Sequence, residues 1–96
     1  MTTESFRASL SQPEPPPDLS PGVLALWYDA CGRWDDAHRI AQDTETPDGS
    51  WVHAYLHRKE GDLVNAAYWY RHAGRPVASG PLDDEWLKIL TVLIGR

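Results

Sequence analysis

Two histidines, His53 and His57, stand four residues apart in a segment with helical periodicity, so both side chains are expected on one face of a helix. Glu60 follows one turn later, and His72 lies in the next predicted helix. Two or three imidazoles and a carboxylate form a ligand set that suits a metal ion such as zinc. The simpler interpretation, which the sequence favours, is a structural role in which these histidines hydrogen-bond a neighbouring helix or water.

Catalytic motifs are not found beside these residues. The residue after His53 is Ala54, so the helix lacks the glutamate base of a zinc protease. Cys31 has no histidine at a spacing that would make it a nucleophile, and no glycine-rich phosphate loop occurs. The sequence therefore predicts a protein that is not an enzyme and that needs no cofactor.

A second face of the same predicted helix combines aromatic and basic side chains. Aromatic residues beside Arg or Lys suit an extended peptide or a carboxylate group, although a solvated face has the same composition. The residues concerned are Trp51, Tyr55, Arg58 and Lys59, joined by Trp69 and Arg71 from the following helix. We interpret the chain as an interaction module for an unknown protein or peptide. The alternative is a metal- or small-ligand-binding protein that uses the His53/His57 face.

Composition limits the classes of function. The chain has 96 residues and a formal net charge of -5, with its basic excess confined to residues 51–75. An acidic protein is a poor candidate for nucleic-acid binding, which needs a broad basic face. No segment reaches the ~20 apolar residues of a membrane span, and residues 1–10 contain no signal-peptide core. A single cysteine forms no internal disulfide. From these three observations we expect a cytoplasmic protein without membrane partners.

Turn and capping residues divide the chain into a tail and one helical domain. Four prolines in residues 13–17 predict a flexible, extended tail over residues 1–19, in which Phe6 and Leu10 could form one docking turn. Ser20 and Pro21 begin the domain of residues 20–96. Five helices are predicted: Pro21 to near Gly32, Trp34–Gln42, Ser50–Lys59, Leu63–Ala73 and Glu85–Ile94, with a turn at Thr46–Gly49.

The chain contains an internal repeat with an offset of 29 residues. Gly32 aligns with Gly61, and the small residue Ala37 aligns with Ala66. The stretch from Gly61 to Ala73 resembles the second half of a tetratricopeptide repeat (TPR), with a Sel1-like element at residues 67–71. This resemblance implies an all-α fold of two tandem TPR-like hairpins plus a C-terminal capping helix. Residues 51–62 also resemble a small bacterial family of uncharacterised proteins, which implies a bacterial source and no known activity.

The last predicted helix is apolar around more of its circumference than one packing partner requires. Its apolar residues are Leu82, Trp86, Leu87, Ile89, Leu90, Val92, Leu93 and Ile94. One stripe can cover the second hairpin, and the other would then face water. We therefore predict a homodimer through residues 82–94. The alternative is that the N-terminal tail covers the second stripe within one chain.

Overall fold

Six α-helices and no β-strand make up the chain in the computed structural model, which describes all residues from 1 to 96. The all-helical class predicted from the sequence is confirmed. The helices are α1 (Thr3–Ser9), α2 (Pro21–Ala30), α3 (Trp34–Asp43), α4 (Pro47–Glu60), α5 (Leu63–Ala73) and α6 (Leu82–Ile94). The molecule measures 34 × 26 × 25 Å. None of these helices is both long enough and apolar enough to cross a lipid bilayer.

The ends of α4 and α5 follow from their terminal residues. Gly61 and Gly74 take left-handed φ angles of 91° and 70°, a conformation that glycine adopts without a steric penalty and that ends each helix. Asp62 begins α5 by accepting a hydrogen bond from the backbone N–H of Asn65 at 3.2 Å. The predicted bounds of α5 are therefore confirmed.

The predicted turn at Thr46–Gly49 is wrong, because these residues form the first turn of α4. The Thr46 hydroxyl accepts a hydrogen bond from the Gly49 N–H at 3.0 Å, and Pro47 occupies the first helical position. The same Thr-Pro pair thus serves as a helix start rather than a chain reversal. A Cβ atom at Gly49 would lie 2.2 Å from the Thr44 carbonyl oxygen, so this close approach requires glycine. Both α4 and α6 begin three residues earlier than predicted.

The N-terminal segment differs from the extended tail expected over residues 1–19. Residues Thr3–Ser9 form α1, which starts with reciprocal hydrogen bonds between Thr2 and Ser5. Phe6 is 0% exposed and packs against Trp86 with ring centroids 5.9 Å apart. The prolines begin at Pro13, beyond the end of α1, so they do not oppose its helical conformation. The proline-containing part, residues 11–20, has no helix or strand.

Consecutive helices pack in pairs, α2 with α3 and α4 with α5, while α3 also packs against α4. Helix α6 covers α2 and α4, and α1 lies against α6. Trp86, Ile89, Leu90 and Leu93 of α6 are buried, and its other apolar residues pack half-buried against the core. The apolar residues of α6 thus pack within the chain, and the N-terminal segment adds the contact between Phe6 and Trp86. The homodimer through residues 82–94 stays a prediction.

Buried polar groups tie α6 and α2 to α4. Glu85 accepts hydrogen bonds from Arg58 at 2.9 Å and from the Tyr70 hydroxyl at 2.5 Å. Asp29 accepts them from the Tyr55 hydroxyl at 3.1 Å and from Lys59 at 2.8 Å. Both carboxylates thus have charged and neutral partners, which offsets the free-energy penalty of burying them.

Candidate metal centre

Three histidine side chains meet where α3 packs on α4. His38 comes from α3, whereas His53 and His57 come from successive turns of α4. One possible ligand atom from each residue lies within 4.8 Å of those of the other two. His53 and His57 are buried and His38 is half-buried. We call these three residues the histidine cluster.

The closest pair in the histidine cluster bridges the two helices. The Nε2 atoms of His38 and His53 are 3.1 Å apart, so one ring donates a hydrogen bond and the other accepts it. Two nitrogens bound to one tetrahedral zinc ion at about 2.0–2.1 Å lie about 3.3 Å from each other. This pair therefore already has the separation of two ligands of a single ion. The third ligand atom lies within 4.8 Å of the other two, so it would move inward by up to about 1.5 Å to complete the set.

Two tryptophans hold the rings of this pair in place. Trp34 stacks on His38 with centroids 4.8 Å apart and an interplanar angle of 9°. Trp69 stacks on His53 at 4.1 Å and 24°. The indole N–H of Trp34 donates to the Leu56 carbonyl oxygen at 3.0 Å, which fixes the Trp34 ring. Stacking on these indole rings restricts the orientations that the imidazoles can adopt.

His57 is oriented by polar neighbours. Its Nδ1 atom lies 2.6 Å from a Glu60 carboxylate oxygen, and its Nε2 atom lies 3.4 Å from the Asn65 side-chain amide nitrogen. In neutral His57, a hydrogen on Nδ1 donates to Glu60 and the Nε2 lone pair accepts from Asn65, a contact that a metal ion at Nε2 would replace. A carboxylate on the second ring nitrogen is the usual support for a histidine that binds a metal through its other nitrogen.

Two residues of the histidine cluster, His53 and His38, have lowered pKa values. Burial, followed by the neighbouring His38 and His57, lowers the pKa of His53 to about 4. Burial and His57 also lower the pKa of His38, partly opposed by Glu60 and Asp35. His53 is therefore neutral at physiological pH, and for both rings to bind a cation through Nε2 the hydrogen between the two Nε2 atoms has to move to an Nδ1 atom.

The sequence-predicted metal residues are only partly brought together. His53, His57 and Glu60 are neighbours, but His72 lies apart from the cluster, exposed and packed on the rings of Tyr68 and Trp69. His38 was missed, because it belongs to a different helix and stands 15 residues before His53. Its position four residues after Trp34 was the available signal, since that spacing stacks the two rings on one helix face.

The residues of the predicted peptide-binding face lie partly in the core and partly in ion pairs. Trp51 and Tyr55 are 3% and 2% exposed and belong to the core. Arg58 and Lys59 are paired with Glu85 and Asp29 in the networks described above. The other two residues predicted for this face lie on α5, where Trp69 is half-buried and Arg71 is exposed.

No protein-family model, no curated protein and no solved structure matches the chain.

Proposed function

We propose that this protein binds a divalent transition-metal ion, with zinc as the reference ion, through His38, His53 and His57. The observation that carries the proposal is that ligand atoms of three imidazoles lie within 4.8 Å of one another. The Nε2 atoms of two of them, His38 and His53, are 3.1 Å apart. Imidazole nitrogens are preferred ligands of zinc, copper and nickel, whereas magnesium and calcium prefer oxygen. Three protein ligands leave one tetrahedral position for water or another small ligand.

Electrostatics and orientation support the same proposal. Neutral imidazoles are the metal-binding form, and burial keeps His53 in that form. Glu60 contacts Nδ1 of His57 and places a negative charge near the proposed metal site. Stacking on Trp34 and Trp69 reduces the ring reorientation that binding requires. The ion would join α3 to α4, so binding would stabilise the pair of helices as well as the site.

Calorimetric titration of the chelator-treated full chain with ZnCl₂ tests the proposal. We expect one ion per chain for the wild type and a loss of affinity of more than about 100-fold for His53→Ala and for His38→Ala. His72→Ala is the matched control, because it removes an exposed imidazole outside the cluster and should leave the affinity unchanged. Absence of binding to the wild type, or equal binding by His53→Ala, would refute the proposal.

A second proposal retains the interaction module suggested by the TPR resemblance. In support, Gly32 and Gly61 both adopt left-handed φ angles, of 78° and 91°, and Ala37 and Ala66 are both buried at the equivalent position. We propose that these features build two TPR-like hairpins, α2–α3 and α4–α5. The surface proposed for a partner is the outer side of α5, on which Val64 is 86% exposed.

The interaction proposal is tested by cross-linking and affinity capture with purified full chain. Leu63 and Tyr68 are exposed together with Val64, so Val64→Asp should abolish capture of any specific partner. Gln42→Asp introduces the same charge at an exposed site on α3 and serves as the control. A partner captured equally by Val64→Asp would place the interface elsewhere and reject this surface.

A further inference from the structure

Helix α1 is held on the body by a small number of side chains around one aromatic anchor. Phe6 is fully buried beside Trp86, and the Trp27 indole N–H donates to the Ser9 hydroxyl at 3.2 Å. The Cys31 thiol lies 3.9 Å from the Leu10 carbonyl oxygen. We call the receiving surface on α2 and α6, marked by Trp27, Cys31 and Trp86, the α1 groove. It accepts a short helix with one aromatic anchor.

The connection between α1 and α2 is long enough to place α1 on another molecule. Residues 11–20 contain no helix and include Pro13, Pro15, Pro16 and Pro17. A proline-rich segment in polyproline geometry extends about 3.1 Å per residue, so ten residues reach roughly 30 Å. This reach is comparable with the 34 Å longest dimension of the whole protein. The same linker can therefore carry α1 to its own groove or to that of a neighbour.

The linker contains a strained residue that favours the extended path. Asp18 has a φ of 64°, and it is the one residue other than glycine with a positive φ. L-residues avoid this left-handed conformation because Cβ approaches the following carbonyl oxygen. The strain belongs to the turn that folds the chain back into α2. A linker that extends to a second molecule does not need this turn, so Asp18 can leave the left-handed conformation. Strained hinge segments promote exchange of the element they carry.

We propose that two copies of this chain form a dimer by exchanging α1, so that Phe6 of each copy occupies the α1 groove of the other. Exchange keeps every contact between α1 and the groove, because the two grooves are identical. What changes is the linker, in which Asp18 leaves the left-handed conformation. The balance between monomer and dimer is therefore set by the linker and by protein concentration, independently of metal binding.

Light scattering on the full chain, equilibrated from about 1 µM to about 1 mM, tests the exchange. We expect the dimer fraction to rise with concentration. Asp18→Gly should lower the association constant by about tenfold or more, because glycine removes the strain of the closed linker without touching the groove. Asp43→Gly, a change at an exposed site at the end of α3, should leave it unaltered. A wild type that stays monomeric at all concentrations, or a dimer insensitive to Asp18→Gly, would overturn the proposal.

A second measurement examines the groove directly. Phe6→Ala should release α1 from its own groove, so a labelled peptide of residues 1–12 should bind this variant at least about tenfold more tightly than it binds the wild type, in which the tethered α1 competes. Circular dichroism of Phe6→Ala establishes that the body remains helical. Failure of the peptide to bind a folded Phe6→Ala chain would show that the groove does not accept α1 from another molecule and would overturn the exchange.

Discussion

The Nε2 atoms of His38 and His53 lie 3.1 Å apart across the α3–α4 interface, although the two residues are 15 positions apart in the chain. Trp34 stacks on the His38 ring and Trp69 stacks on the His53 ring. The pair is thus fixed by packing before any ion arrives. That preorganisation is the physical basis for treating the histidine cluster as a binding site, because fewer degrees of freedom are lost on binding.

The lowered pKa of His53 makes the stability of the metal-free chain depend on pH, and a chelator keeps the chain metal-free during the experiment. In the unfolded chain His53 binds a proton near pH 6.5, whereas in the folded chain it does so only near pH 4. Between these pH values the unfolded state binds more protons than the folded state. The contribution of neutral His53 to the free energy of unfolding is therefore fully present above about pH 6.5 and is lost as the pH falls toward 4. The lowered pKa of His38 acts in the same direction, and Glu60, which faces His57, opposes it.

The expected loss from His53 is about 3 kcal/mol of unfolding free energy between pH 7 and pH 4. Urea denaturation at a series of pH values measures it. His53→Gln, which removes the titrating group, should flatten this part of the profile, whereas His72→Gln should leave it unchanged. A wild-type profile that is level from pH 7 to pH 4 would contradict the assigned burial of His53.

Local signals in the sequence determine some of the helix ends and part of the histidine cluster. The bounds of α5 follow from Asp62 and Gly74, whose capping roles depend only on neighbouring residues. The His53/His57 pair is predictable for the same reason, since a spacing of four places both side chains on one face of any helix. These features need no knowledge of the tertiary fold.

The remaining features depend on contacts between distant segments. His38 joins the cluster only because α3 packs on α4, and Phe6 is buried only because α6 places Trp86 beside it. Trp51 and Tyr55 look like a binding face in the sequence but are used in the core, because a chain of this size needs large aromatic side chains to fill its interior. Neither local composition nor periodicity distinguishes these two uses.

Zinc should raise the thermal stability of the chain if it joins α3 to α4. At a free concentration 100 times the dissociation constant, a ligand that binds only the folded state adds about 2.7 kcal/mol. Thermal unfolding monitored by circular dichroism should therefore shift upward with ZnCl₂ and return to the starting value with excess chelator. His72→Ala should respond as the wild type does. An equal shift for His38→Ala would show that zinc acts somewhere other than the cluster.

Glu60 should strengthen the site by orienting His57 through the 2.6 Å contact. We expect Glu60→Gln to lower zinc affinity by about 10–100-fold, the usual effect of losing a carboxylate behind a histidine ligand. Glu45→Gln makes the same change at an exposed site without a side-chain ion pair and is the control. Titration calorimetry compares the two variants. Equal affinities would mean that Glu60 does not position His57.

Removal of the Phe6 ring should destabilise the full chain, in contrast to the behaviour of a flexible tail. Phe6 is fully buried, and truncation of a buried Phe to Ala reduces the free energy of unfolding by about 3 kcal/mol, or by less when the segment simply detaches. Urea denaturation measures the loss. Met1→Ala, at an exposed position of the same segment, should be nearly neutral. Equal stabilities of Phe6→Ala and the wild type would show that α1 contributes no packing energy.

The most direct test of the metal proposal is an NMR experiment that reads the ring nitrogens of all four histidines during a zinc titration. Long-range ¹H–¹⁵N spectra of the full chain resolve each imidazole and identify the nitrogen that gains a metal bond. We predict that one equivalent of zinc shifts one nitrogen in each of His38, His53 and His57, that Nδ1 of His57 keeps its hydrogen toward Glu60, and that His72 is unchanged. Saturable binding that shifts His72, or that leaves the His38 and His53 nitrogens unmoved, would contradict it.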